Sequence, residues 1–386
     1  MQDFTTELAV LASQSLLRTR RVVDGPQGPL LQVEGRDELS FCSNDYLGLA
    51  NHPAIVGAAT TALQRYGMGA SASPLISGHS AAHETLEAGL AAFVGMPAAL
   101  VFGNGYMANL GVAGALVGSG DTVIVDRLAH ASLIDGARLS GASLKVFPHN
   151  DVQRLEQVLA RCKSGRKLVV TDAVFSMDGD LAPLAELAAV CARHEAWLLV
   201  DDAHGLGVLG PQGRGSLALA GVSGPHVLCM GTLGKAAGVA GAFVAGAAGV
   251  VAWIMQRART YMFSTAHPPA LAAATSASLT LIAREDWRRE RLQELSAQLR
   301  TGLAGLPWTL LPSSTAIQPL IVGENAAARA LAAALRAQGI WVPAICPPTV
   351  PKGTARLRIS LSALHSGDDV ARLVDALTAL ASGAQA

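Results

Sequence analysis

Lysine is scarce in this chain, with five residues against 24 arginines. Lys145, Lys163, Lys167 and Lys352 stand near turns or polar neighbours, which leaves Lys235 isolated. From Gly215 to Gln256 it is the single charged side chain in 42 residues. Cysteine is also sparse: five residues, an odd number, with no C-x-x-C spacing. That argues against a disulfide framework or a zinc site and points to a reducing compartment. The formal net charge is zero, so no electrostatic footprint for nucleic acid or anionic lipid exists. The N-terminus lacks a basic stretch followed by an apolar core, so no signal peptide is expected and a cytoplasmic protein is. Aromatics make up 4% of the chain, and Ala and Gly are abundant, which suits helices packed closely on a sheet. One uncharged run, Ala236 to Met255, is formally long enough to cross a bilayer. Its Ala and Gly content and few large apolar residues read as buried core instead.

The chain is long enough for one large domain and a smaller one. Its middle alternates short apolar runs with helical periodicity, which predicts an α/β domain with a mainly parallel sheet. The predicted strands are Ala98–Phe102, Thr122–Val125, Ser143–Phe147, Lys167–Thr171, Trp197–Val200, Val227–Met230 and Gly241–Val244, seven in all. Helical patterns cover Asp151–Arg161, Leu184–His194, Pro269–Arg284 and Trp287–Leu303. From about Leu310 an α+β pattern takes over, with strands at Ile317–Val322, Trp341–Pro343 and Ala355–Ser360 and helices at Ala326–Gln338 and Asp368–Ala381. The expected division is 1–45, an N-terminal helix and strands packed beside the small domain; 46–285, the large domain; and 286–386, the small domain.

In an open parallel sheet, ligands bind beyond the carboxyl ends of the strands, and the unusual residues fall there. Burying a lone ammonium among Gly, Ala and Val is costly, so Lys235 is a candidate amine nucleophile for a carbonyl cofactor such as pyridoxal phosphate. A snorkelling lysine is the bland alternative. Asp201 and His204 follow a strand, where a carboxylate can hold a pyridine nitrogen protonated and a histidine can reach a ring hydroxyl. A helix cap or a metal pair is the competing reading. Gly205-Leu-Gly-Val-Leu-Gly210 spells a dinucleotide fingerprint, but Pro211 follows where a helix should open. Gly105 and Tyr106 would offer backbone N–H groups at a helix start, a phosphate site to which Thr232 could add a hydroxyl. His130 could stack on a ring, and Ser176 and Asp178 sit at a further strand end, where turn chemistry is the alternative.

Assembled, five stretches resemble the α-oxoamine synthases, pyridoxal-phosphate enzymes of the aspartate-aminotransferase fold (type I). They are Phe41-Cys-Ser-Asn-Asp-Tyr-Leu-Gly-Leu, Asp126-Arg-Leu-Ala-His-Ala-Ser, Val174-Phe-Ser-Met-Asp-Gly-Asp, Val200-Asp-Asp-Ala-His-Gly and Gly231-Thr-Leu-Gly-Lys. The resemblance runs through nearly the whole length. It implies pyridoxal 5′-phosphate as cofactor, Lys235 as its Schiff-base lysine and Asp201 as partner of its ring nitrogen. It further implies His204 and Ser176 at the ring hydroxyl, His130 stacked on the ring, and Gly105, Tyr106 and Thr232 around the phosphate. Asn44 and Arg358 resemble the binders of the amino-acid carboxylate, and Arg18 and Thr349 match positions near the acyl substrate. Ser314-Thr-Ala-Ile-Gln-Pro-Leu-Ile-Val-Gly, Pro347-Pro-Thr-Val-Pro and Thr354-Ala-Arg-Leu-Arg-Ile-Ser-Leu-Ser-Ala-Leu-His point to one branch. That branch joins L-alanine to a pimeloyl thioester, carried on coenzyme A or on a carrier protein, in a decarboxylative condensation by a homodimer. Pro74 and Cys346 depart from the family pattern where acyl-chain selection is plausible. Branches that use glycine or serine with other acyl thioesters share most of these motifs.

Overall fold

The structure, a computed structural model, describes residues 3–14, 16–163 and 165–383, so the outermost ends of the expected first and last domains lie outside it. The chain divides into two units, one of residues 45–176 and 180–291, the other of residues 1–44, 177–179 and 292–386.

The larger unit is built on a seven-stranded sheet in the order Ala98–Phe102, Ala242–Gly246, Val227–Thr232, Trp197–Asp201, Lys167–Asp172, Thr122–Asp126, Ser143–Phe147. Six strands run parallel, and Ala242–Gly246 runs antiparallel to both neighbours. All seven lie where the sequence places them, shifted by at most two residues. Alternation divides the core between the two faces. Val123, Val125, Leu168, Val170, Leu199 and Leu228 pack on one side. Ile124, Val169, Leu198, Val200, Val227 and Cys229 pack on the other. The central strands are therefore apolar along most of their length because both sides are covered, whereas the edge strand Ser143–Phe147 buries only Phe147. The uncharged run from Ala236 becomes the strand Ala242–Gly246 and the start of the helix Ala248–Arg257. Among the described residues, no helix is long and apolar enough to cross a membrane. The glycine run at 205–210 forms turns leading into the 3-10 turn Pro211–Gly213, where a dinucleotide fingerprint would need an α-helix.

The smaller unit holds two four-stranded sheets. One orders Val23–Asp24, Leu30–Val33, Arg36–Ser40 and Ile340–Trp341; the other orders Thr309–Leu310, Ile317–Gly323, Ala355–Ser360 and Ala344–Ile345. The helices Asn325–Ala337 and Gly367–Gly383 belong to the same unit. One expectation changes here. The predicted strand Trp341–Pro343 splits into Ile340–Trp341 and Ala344–Ile345, one in each sheet. Pro343 has no N–H to give a ladder, and its carbonyl accepts from Arg358 N at 3.1 Å. The N-terminal helix Thr5–Ser13 buries no residue, and Leu8, Val10 and Leu11 are exposed. At nine residues it is too short to hold itself by propensity, and its apolar side chains form no single stripe.

Candidate active site

The carboxyl ends of adjacent strands bring the predicted residues of the larger unit to one edge of its sheet. Val227–Thr232 ends at Thr232, whose hydroxyl donates to Gly241 O at 3.2 Å, and the following bend carries Lys235. Lys235 Nζ lies 2.9 Å from His204 Nε2. On the far side of that ring, His204 Nδ1 lies 2.6 Å from the hydroxyl of Tyr46, a fully buried side chain. Amine, imidazole and phenol thus form one hydrogen-bonded line.

A second line begins at Asp201, which is buried and accepts Ala203 N at 3.0 Å and Asn109 Nδ2 at 2.8 Å. The Asn109 amide also donates to Ser132 Oγ at 2.9 Å, and Ser132 Oγ is 2.8 Å from His130 Nδ1. Ser132 N donates to the same ring nitrogen at 3.3 Å, which makes His130 the cap of the helix Ala131–Leu139. A ring nitrogen that accepts twice is unprotonated, so the His130 proton sits on Nε2 and the ring is neutral. The electrostatics agree. Loss of water around the ring lowers the His130 pKa, Asp201 pulls it back up, and Lys235 pushes it down. The backbone N–H of His130 donates to Asp172 Oδ2 at 2.7 Å. Asp172 is the register partner of Asp201 on the next strand. Burial, followed by repulsion from Asp201, drives the Asp172 carboxyl well above its ordinary range. Of the two adjacent buried carboxyls, Asp172 is thus pushed toward its protonated form.

Phe102 ends its strand, and Asn104 caps the helix Gly105–Leu116 by accepting Met107 N at 2.9 Å. This presents the first N–H groups of the helix at Gly105 and Tyr106. The Tyr106 hydroxyl donates to Asp135. Ser176 lies in a turn closed by Phe175 N donating to Asp180 O at 3.0 Å. The same turn is fixed by His149, whose Nδ1 meets Asp126 at 3.1 Å and Nε2 meets Asp180 at 2.7 Å. Burial pulls the His149 pKa down, but the bonds and charges of the two carboxylates outweigh it and carry the value to about 9. Because this exceeds the ordinary histidine value of 6.5, the clamp contributes its full stability below pH 6.5 and loses it as pH rises through about 9. His149→Gln should therefore destabilise the protein by about 1–3 kcal/mol at pH 6 and far less at pH 10, as read by urea titration at each pH.

The other predicted residues belong to the smaller unit. Buried Arg358 donates to Asn44 Oδ1 at 3.2 Å and to Ser360 Oγ at 2.8 Å. Arg18 and Thr349 are exposed in irregular segments. Asp178 pairs with Arg356 at 2.6 Å. Sequence reasoning passed over Tyr46, Asn109, Ser132 and Asp172, although Tyr46 and Ser132 stand inside stretches quoted above. The available signal was a polar side chain within an otherwise apolar stretch, as with Asn109 between Ala108 and Leu110.

The donor set fits pyridoxal phosphate. A primary amine, a buried carboxyl group, a neutral imidazole and a helix N-terminus lie along one sheet edge, matching an aldehyde, a pyridine nitrogen, an aromatic face and a phosphate. The metal alternative for Asp201, His204 and His130 does not hold, because the three have separate partners in Asn109, Lys235 with Tyr46, and Ser132.

Residues 36–377 match the aminotransferase class I and II family. The chain is 57% identical to 8-amino-7-oxononanoate synthase 1 of Polaromonas sp., over 99% of this chain and 96% of that protein. It is 58% identical to the 8-amino-7-oxononanoate synthase of Herminiimonas arsenicoxydans, over 98% and 99%. Among solved structures, a serine palmitoyltransferase from S. paucimobilis with a bound PLP–myriocin aldimine superposes with a TM-score of 0.93, at 32% identity over 99% of this chain and 98% of that one.

Proposed function

The chain belongs to the aminotransferase class I and II family, among its 8-amino-7-oxononanoate synthases, and on that premise we propose how its residues carry out the condensation. It depends on pyridoxal phosphate and serves biotin biosynthesis. The substrates in this reading are L-alanine and a pimeloyl thioester of coenzyme A or a carrier protein. A carbon–carbon bond forms between the α-carbon of alanine and the thioester carbonyl, the thiol leaves, and the alanine carboxylate departs as carbon dioxide. The proposal also makes the enzyme a cytoplasmic homodimer.

The cofactor, when bound, supplies an aldehyde and an electron-accepting ring that let an amino-acid α-carbon carry negative charge. Lys235 would hold the aldehyde, Asp201 the ring nitrogen, His204 and Ser176 the ring hydroxyl, and His130 the ring face. Gly105, Tyr106 and Thr232 would hold the phosphate. Lys235, once free, is the base that takes the α-proton of alanine, and His204 aims its amine. Tyr46 fixes the His204 ring from behind. Asn109 orients the Asp201 carboxylate, and Asp172 lies beside it as a carboxyl pushed toward its protonated form. Ser132 keeps His130 neutral, so no second cation competes for Asp201. Arg358 and Asn44 receive the alanine carboxylate, with Arg18 and Thr349 toward the acyl chain.

The observation that carries this reading is the 2.9 Å contact of Lys235 Nζ with His204, on the same sheet edge as buried Asp201. The test is a substrate panel for the purified enzyme with pyridoxal phosphate. Alanine, glycine and serine are each paired with pimeloyl, acetyl, succinyl and palmitoyl thioesters. The proposal expects 8-amino-7-oxononanoate by mass spectrometry from alanine with pimeloyl thioester alone; preference for glycine or serine would refute the substrate assignment. Arg358→Ala should raise the KM for alanine about 10–100-fold with a smaller change in kcat, as expected for loss of a charge-assisted bond to substrate.

A further inference from the structure

In the smaller unit, a groove of about 600 Å³ carries a chemistry that the condensation does not use. Its lining includes Arg21, Arg36, Arg329, Arg336, Glu34 and Trp341. Arg329 and Arg336 stand seven residues apart on the helix Asn325–Ala337 and so share a face. Alanines at 332, 333 and 337 keep the groove open between the guanidinium groups.

The charges do not balance. Glu34 accepts from both Arg21 at 3.0 Å and Arg336 at 3.1 Å, and Glu38 accepts from Arg336 at 2.8 Å. Arg36 and Arg329 meet no carboxylate among the described residues. Four guanidinium groups therefore face two carboxylates, an excess of two positive charges on a chain whose formal net charge is zero. Arg329 Nε is also enclosed without a hydrogen-bond partner, a situation proteins seldom leave uncorrected. Trp341 offers an aromatic face, 6.0 Å from ring centroid to the Arg336 guanidinium.

We propose that this groove binds a phosphate monoester, with Arg36 and Arg329 holding the phosphate. The guanidinium fork matches phosphate oxygens in pairs. A phosphate monoester carries a charge of about −1.5 to −2 at neutral pH, which the excess of two matches. The groove is larger than phosphate alone requires, so an organic group can follow, with Trp341 available to stack on a base. The site is separate from the helix N-terminus at Gly105, which belongs to the other unit.

The test is isothermal titration of the pyridoxal-phosphate-loaded enzyme, whose cofactor phosphate site is filled, in chloride buffer. The probes are inorganic phosphate, adenosine 3′,5′-bisphosphate and succinate. Saturable binding of a phosphate probe that weakens with salt is expected. In Arg36→Ala/Arg329→Ala its Kd should rise at least tenfold while kcat and Tm stay unchanged. Tighter binding of the bisphosphate that Trp341→Leu removes would identify a nucleotide as the source of the phosphate. Equal affinity for both phosphates, indifferent to Trp341→Leu, would identify a free phosphate. No binding, binding undiminished in the double variant, or succinate binding as tightly as phosphate overturns the proposal.

Discussion

Replacing Lys235 with alanine removes the proposed base, the one amine at this sheet edge among the described residues, and turnover should fall by about 10⁴-fold or to background. The fold should be unaffected, because Lys235 is half-buried in a bend and His204 keeps its bond to Tyr46 at 2.6 Å. Three measurements separate this from a general loss of structure. Tm of the cofactor-free variant should match that of the parent. Borohydride treatment with pyridoxal phosphate should add mass to a peptide containing residue 235 in the parent and not in the variant. A small exogenous amine should restore part of the activity, since the missing group is a base. Full activity in Lys235→Ala would end the mechanism.

Asp201→Asn keeps the shape of the side chain and removes its charge. The expected loss in kcat is about 10²–10³-fold, the scale of one preorganised electrostatic group, together with weaker retention of pyridoxal phosphate. Its more telling consequence is visible without cofactor. Asp201 holds the His130 pKa up against burial and Lys235, so removing its charge should lower the His130 pKa further. Asp201 also helps keep Asp172 protonated, so the Asp172 pKa should fall toward ordinary carboxyl values. NMR titration of the two side chains in the cofactor-free protein reads both shifts. If neither group moves, Asp201 is not the anion of this cluster.

The sheet was legible because its strands are buried on both faces and read as uninterrupted apolar runs between turns, as at Leu168–Val170 and Leu198–Val200. The strand ends were legible for the same reason, since the first polar residue after each run marks them: Asp126, Asp172 and Asp201. Lys235 stood out by contrast with its neighbours. What remained hidden was mutual. Locally Asn109 shows only as a polar residue in an apolar stretch, and its significance comes from Asp201, 92 residues later. Tyr46 acquires its role through His204, 158 residues away. The edge at Trp341 was blurred because a two-residue strand carries too little pattern to set its own limits.

The pairing of Arg36–Ser40 with Ile340–Trp341 has a consequence for biosynthesis. Leu39 finds its register partner at Ile340, so on the ribosome this sheet cannot be completed until Ile340 has been made. Residues 45–291, by contrast, supply every strand of the seven-stranded sheet in one stretch and can assemble as they emerge. Residues 23–40, made before the larger unit, complete their sheet only after it. Until then their exposed hairpin edge is a surface that the cell's chaperones have reason to cover.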